Sequence, residues 1–295
     1  LKANYSDFSN FLKYAVYASI LMVFVGFYFT GLSLVNTADS FEGISHFTNE
    51  GVRYRSVGTF NNPNQLGYFS VCIAGIASYL FLIDKIKFAE FLILIIFILV
   101  MVAASLSKAA MVSVLFYGLI FVDKKFYKFL IVMLGILSLL LIVFFQFFDI
   151  ADVKFVNRLL TIGNTTDDNF IGRGYGPLLN PDLRLLYGWG SGYSELQINH
   201  EVHSTLGNLL ISYGLTGLIL FLSLLAIIFL RLKMIFGLVA AAGLMLPTIL
   251  YGLTHNGLRF SIFWLLLSVL SFMPDLNNKS ITMYYNYDKK NYENS

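Results

Sequence analysis

The run NHEVHSTLGNLLISYGLTGLILFLSLLAIIFLRLK, residues 199–233, decides the fold class. It opens on two histidines, passes a serine suited to cap a helix, and then holds no Asp, Glu, Lys or Arg between Glu201 and Arg231. An apolar segment of this length, read as 204–230, exceeds the roughly 20 residues that cross about 30 Å of hydrocarbon. The cations Arg231 and Lys233 follow at once, as they do where a span meets a cytoplasmic surface.

Similar windows recur on both sides of this run. Spans are expected at about 12–35, 64–83, 89–106, 107–122, 129–148, 204–230, 234–253 and 258–273. Only SLSK, Ser105 to Lys108, separates the third from the fourth. Composition agrees: 57% of the 295 residues are hydrophobic, 17% aromatic and 13% charged, against about a quarter charged in soluble domains. The sequence therefore predicts an all-α polytopic transmembrane bundle of about eight spans, a single integral membrane domain over 1–295. One long external loop covers 149–203, and a flexible cytoplasmic tail, 274–295, is rich in Asn, Tyr and Lys. The chain begins on Leu1, and its opening LKANYSDFSNFLKY lacks the order of a cleaved signal peptide, so an upstream portion is expected. The lone Cys72 lies in an apolar run and offers neither a disulfide framework nor a thiolate metal site.

Strict alternation of these spans sorts the cations by type. Of 13 lysines, 11 fall on the side that holds Lys85, Lys87, Lys124, Lys125, Lys128 and Lys233, which the positive-inside rule makes cytoplasmic. Six of seven arginines, namely Arg53, Arg55, Arg158, Arg173, Arg184 and Arg259, fall on the other side with all four histidines. Helix-end decoration would account for some of this. Arginine, however, is the cation fitted to planar contacts with phosphate oxygens, and the pattern points to an active outer face. The 149–203 loop is net acidic, so its arginines would act as individual ligands and not as a polyanion trap. Its Tyr175, Tyr187, Trp189 and Tyr193 suit stacking on sugar rings.

Three local motifs carry the candidate chemistry. In RYRSVGTFNNPNQLGYF from Arg53, Asn62 and Pro63 suffice to explain a helix entry, but Arg53 and Arg55 beside a helix N-terminus also make an anion site. His203, just ahead of the Ser204 cap, falls at the start of a helix, where an imidazole could serve as a general base; an interfacial anchor is the plainer reading. HEVH from His200 is one residue short of the HExxH zinc arrangement, and the Asp167-Asp168 run reads as a solvated turn, so no metal is expected.

In order along the chain, Arg55-Ser-Val-Gly-Thr-Phe-Asn-Asn-Pro-Asn64, the Ser107-Lys108 junction, Gly172-Arg173, His203-Ser-Thr-Leu and Tyr213-Gly-Leu-Thr-Gly217 resemble the bacterial O-antigen ligase and O-antigen polymerase family over about 50–273. The resemblance implies a multi-pass transferase of the bacterial inner membrane, active on the periplasmic face in lipopolysaccharide or other polysaccharide biosynthesis. It would move a glycan from undecaprenyl diphosphate to an acceptor sugar, on a lipid-linked repeat unit or a lipid A core, with inversion and without metal or other cofactor. It implies His203 as base, with Arg173 and Arg55 on the diphosphate. Lys108, Arg158, His200, His255 and Arg259 are the accompanying candidates for substrate binding. The chain departs from the family pattern in having Lys108 for an arginine, Ser204 for an asparagine, and no tryptophan close after Arg173.

Two readings from other classes remain open. A flippase-like polysaccharide or lipid transporter would use the same spans, although it would place ionisable groups at mid-membrane. An intramembrane serine protease would draw on Gly190-Ser191-Gly192 and on His255, but Ser191 lies in a loop and not in a span.

Overall fold

The computed structural model describes residues 5–30, 56–121, 174–179, 181–193 and 202–271. These are all-helical. In chain order they form α1 (Tyr5–Thr30), α2 (Pro63–Leu82), α3 (Phe88–Ser105), α4 (Lys108–Leu115, continued by a 3-10 segment Phe116–Phe121), the single turn α5 (Arg184–Tyr187), α6 (Thr205–Phe236), α7 (Leu238–Thr254) and α8 (Ser261–Ser271). Among the described residues four helices are long and apolar enough to cross a membrane: 7–29, α2, α3 and α6. The apolar α4, α7 and α8 are shorter. The expected span 129–148, loop residues 149–173 and 194–201, and the tail 274–295 lie outside the described residues.

α2 is the centre of the bundle. Asn62 caps it by accepting from the Asn64 amide at 2.8 Å, and Pro63 takes the first helical position, where its missing N–H costs nothing. Its buried face runs from Leu66 to Leu80 and includes Gly67, Ser70, Cys72, Ala74, Gly75, Ala77 and Ser78. Side chains this small let neighbouring helices approach closely, which is how helices associate where water supplies no driving force. α3, α4, α7 and α8 all pack on it.

α1 has the inverse of a soluble helix's surface. Leu12, Val16, Ile20, Val23 and Phe27 make a buried stripe, while Phe11, Tyr14, Leu21, Met22, Tyr28 and Phe29 on the remaining faces are exposed. A helix with an apolar inside and an apolar outside belongs against lipid. The cationic loop ends, Lys85 and Lys87 between α2 and α3 and Arg231 and Lys233 before α7, lie at one end of the bundle. There Lys13 pairs with Glu90 at 2.8 Å and the Arg231 guanidinium donates to the Ser271 carbonyl.

From its Ser204 cap onward, the expected span 204–230 falls within α6, which is interrupted at Gly214. Its φ of 65° and ψ of −163° are non-helical and open only to glycine, and they break α6 into residues 205–213 and 215–236. A straight helix would hold Leu206 and Leu225 about 28 Å apart. Both instead line one small pocket with Thr205, Phe221, Thr248, Gly252 and Phe263. The first half-helix is thus folded back along the second, which returns Thr205 to the level of Phe221, about 9 Å below Leu215.

The freed backbone groups at the break are met by the loop. The amides of Trp189 and Gly190 donate to the carbonyls of Ile211 and Ser212 at 2.7 and 3.2 Å, and the Thr216 hydroxyl donates to the Leu186 carbonyl at 2.7 Å. Backbone groups released by such a break need partners within the protein, and the loop supplies them. Gly188 (φ 86°) makes the contact possible, because a Cβ there would lie 2.5 Å from the Ser212 carbonyl and the Tyr213 amide.

Candidate functional site

At the end of the bundle opposite the cationic loops, one connected set of polar contacts ties together segments far apart in sequence. The Ser56 amide donates to the Ala104 carbonyl at 3.1 Å. Ser105 and Ser107 follow, with the Ser107 amide donating to Ser105 Oγ at 3.2 Å. Between them Leu106 adopts a left-handed conformation, φ 49°, which is uncommon and costly for a branched side chain and is held by its burial.

Tyr251 of α7 is the joint of this set. Its hydroxyl donates to the Asn64 carbonyl in the first turn of α2 at 2.7 Å and stands 3.4 Å from Ser107 Oγ, the cap residue of α4. Its ring is fully buried and lies 4.6 Å from the Tyr68 ring and 4.6 Å from the His255 ring. His255 Nδ1 is 3.0 Å from Thr254 Oγ1.

The half-helix 205–213 closes the set. Ser204 Oγ caps it by accepting from the Gly207 amide at 2.8 Å. The Thr205 hydroxyl donates to the His255 carbonyl at 3.0 Å and accepts from the Gly257 amide at 2.8 Å. Ser204 and Thr205 are buried, whereas His203 directly before them is exposed. A Cβ at Gly174 would meet Val202 and Gly207, so residue 174 packs on the two flanks of His203, and the Tyr175 hydroxyl reaches the Leu253 carbonyl at 3.4 Å.

Four of the sequence-derived candidates are thereby placed on adjoining segments: Lys108 in the first turn of α4, His203 before α6, His255 after α7 and the exposed Arg259 in the short turn that follows. Arg55, Arg158, Arg173 and His200 lie outside the described residues. Of these, Arg55 immediately precedes Ser56 and Arg173 immediately precedes Gly174, both of which belong to the set above. Among the described residues no group of three His, Cys, Asp or Glu side chains converges to hold a metal.

Tyr251, Thr205, Leu106 and the Gly188–Gly214 contact were not singled out by the sequence reading. A signal existed for one of them: two glycines, Gly214 and Gly217, inside an otherwise apolar run mark a site of close backbone approach or a break.

The second outer feature is the aromatic and charged patch of residues 182–193. Asp182 accepts two bonds from the Arg184 side chain, at 3.0 and 2.7 Å, and a third from its amide at 2.7 Å. That guanidinium holds the Asp182 carboxyl below its ordinary range. The same guanidinium lies 5.6 Å from the Trp189 ring, and Trp189 packs at 5.9 Å on Tyr193.

Among the described residues the fold is all-helical, with apolar helices of the kind a membrane protein has and polar helix starts gathered at one end. No protein-family model, curated protein or solved structure matches the chain.

Proposed function

We propose that the chain is a membrane glycosyltransferase that moves an oligosaccharide or polysaccharide from a polyprenyl diphosphate, of the undecaprenyl class, to an acceptor sugar hydroxyl. The observation that carries the reading is the single polar set joining the starts of α2, α4 and α6. Three helix N-termini, with Lys108 and Arg259 on adjoining segments, give a concentration of positive potential suited to a diphosphate. The exposed His203 stands at its edge as the base.

In the reaction, the His203 imidazole takes the proton of the acceptor hydroxyl as its oxygen attacks the anomeric carbon. The bond from that carbon to the diphosphate oxygen breaks, and the departing lipid diphosphate carries away the electron pair. Cations of the outer segments, with Arg55 and Arg173 expected among them, offset this growing charge in place of a divalent metal. Attack from the face opposite the leaving group inverts the anomeric centre. The reading carries with it about eight spans, a location in a bacterial inner membrane and a periplasmic active face, for which the lysine-rich loops at the opposite end of the bundle are the support.

A second reading, transport of the lipid-linked glycan without chemistry, draws on the break at Gly214, since discontinuous helices line substrate sites in transporters. One assay separates the two. Purified protein is given a polyprenyl-diphosphate-linked oligosaccharide and an acceptor in detergent with EDTA, and the products are resolved by mass. Glycan transfer that is lost in His203→Ala supports the transferase; no product from the unsubstituted protein refutes it.

A further inference from the structure

We propose that residues 178–179 and 181–187 form an interfacial membrane-binding element, with Leu178, Leu179, Leu183 and Leu186 seated in the outer boundary between acyl chains and headgroups. In a loop bathed by water these side chains would be anomalous. They are 48%, 59%, 77% and 53% exposed, and Tyr187 beside them is 66% exposed. So many large apolar side chains left open within ten residues mark an interaction surface.

The level of the segment identifies the occupant. Leu186 and Gly188 are held against Thr216 and Ser212, directly at the Gly214 break. From that break to Phe236 the second half of α6 is about 33 Å long, close to the thickness of the hydrocarbon layer. The cations Arg231 and Lys233 mark its inner end, so Gly214, and the segment clamped to it, lie at the outer edge. The lipid-facing surface of α6 also runs up to this point, with Ile219 and Leu220 59% and 67% exposed and Tyr213 52% exposed. The leucines of this element continue that surface sideways, and Asp182, Arg184, Tyr187 and Trp189 are residues that suit the headgroup level. The element would hold the loop at the depth where a lipid-linked diphosphate travels.

This inference rests on α6 as a spanning helix and not on the transferase reading, so either can fail alone. The test places a nitroxide label at Leu183→Cys, Leu186→Cys or Ser191→Cys in the full chain, reconstituted in vesicles of phosphatidylethanolamine and phosphatidylglycerol. Cys72 is fully buried, and the unsubstituted chain serves as the labelling control. Collision with oxygen, which partitions into lipid, is compared with collision with a water-soluble nickel chelate. The ratio of oxygen to chelate collisions is expected to be several-fold higher at 183 and 186 than at 191. Equal access of the chelate to all three sites, as a water-exposed or glycan-binding face would give, overturns the proposal. So does shielding of 183 and 186 from both reagents, which would mean that protein covers them.

Discussion

Gly214→Ala is expected to open the outer half of the molecule. The break holds φ at 65° and ψ at −163°, where a residue with a Cβ is strained by about 1–3 kcal/mol. There is also no room: the added Cβ would lie 2.5 Å from the Gly188 nitrogen and 2.6 Å from the Leu186 carbonyl carbon and the Tyr187 nitrogen. All three are backbone atoms, so the clamp itself must retreat. Doing so stretches the bonds from the Trp189 and Gly190 amides to Ile211 and Ser212, each worth about 1 kcal/mol. Together the loss is about 3–5 kcal/mol, or a fall in Tm of roughly 10 °C for a chain of this size. The assay is thermal unfolding in detergent followed by tryptophan emission in a Trp264→Phe background, which leaves Trp189 of the clamp as the reporter. Gly118→Ala, where a Cβ meets nothing within 4 Å, is the control and should be neutral. A Gly214→Ala protein with the unsubstituted Tm and emission would refute the reasoning.

Other changes test the site piece by piece. Tyr251→Phe keeps the ring contacts with Tyr68 and His255 but removes one hydrogen bond from the Asn64 carbonyl and one from the Ser107 hydroxyl, which keeps its bond from the Ala110 amide; a loss of about 1 kcal/mol is expected in detergent unfolding, with transfer activity reduced even well below the new Tm. Arg173→Lys should be nearly as damaging to transfer as Arg173→Ala, because an ammonium cannot make a two-pronged phosphate contact; normal turnover in the lysine variant would count against a diphosphate ligand. The Asp182 carboxyl is lowered by Arg184, so what it adds to the order of residues 182–193 is complete above the ordinary carboxylate value near 4 and fades as pH falls through the lowered one. Limited proteolysis of this segment should therefore accelerate only once the pH falls below the ordinary carboxylate value near 4, and Asp182→Asn should remove that pH dependence.

Where local chemistry sets a boundary, the sequence was readable. The expected spans 64–83 and 89–106 fall within one residue of α2 and α3, because Asn62 with Pro63 and the SLSK junction act through side chains next to the ends they define. The segments bearing Lys108, His203, His255 and Arg259 were also expected on one face, and they are adjoining. The fold-back of α6 was not legible. Hydropathy averages over many residues and is blind to one backbone torsion, and the groups that satisfy the break come from residues 186–190, whose own pattern carries no hydrophobic period. Tyr251 escaped for a related reason: a tyrosine near the end of an apolar run reads as an interfacial anchor, and only the packed bundle gives its hydroxyl two partners. α7 ends at the polar level that Thr205 and Tyr251 share, which sets its outer boundary at Thr254.

The most direct test of the central claim is a cross-link between the start of the folded-back half-helix and α7. A Cβ at Gly252 would stand 3.4 Å from that of Thr205, close to the separation a disulfide needs. In membranes under mild oxidation, the Thr205→Cys, Gly252→Cys pair should close, and proteolysis with mass spectrometry should recover the two peptides joined. If α6 ran straight and carried His203 away from His255 and Lys108, the two cysteines would never meet and the peptides would be recovered apart.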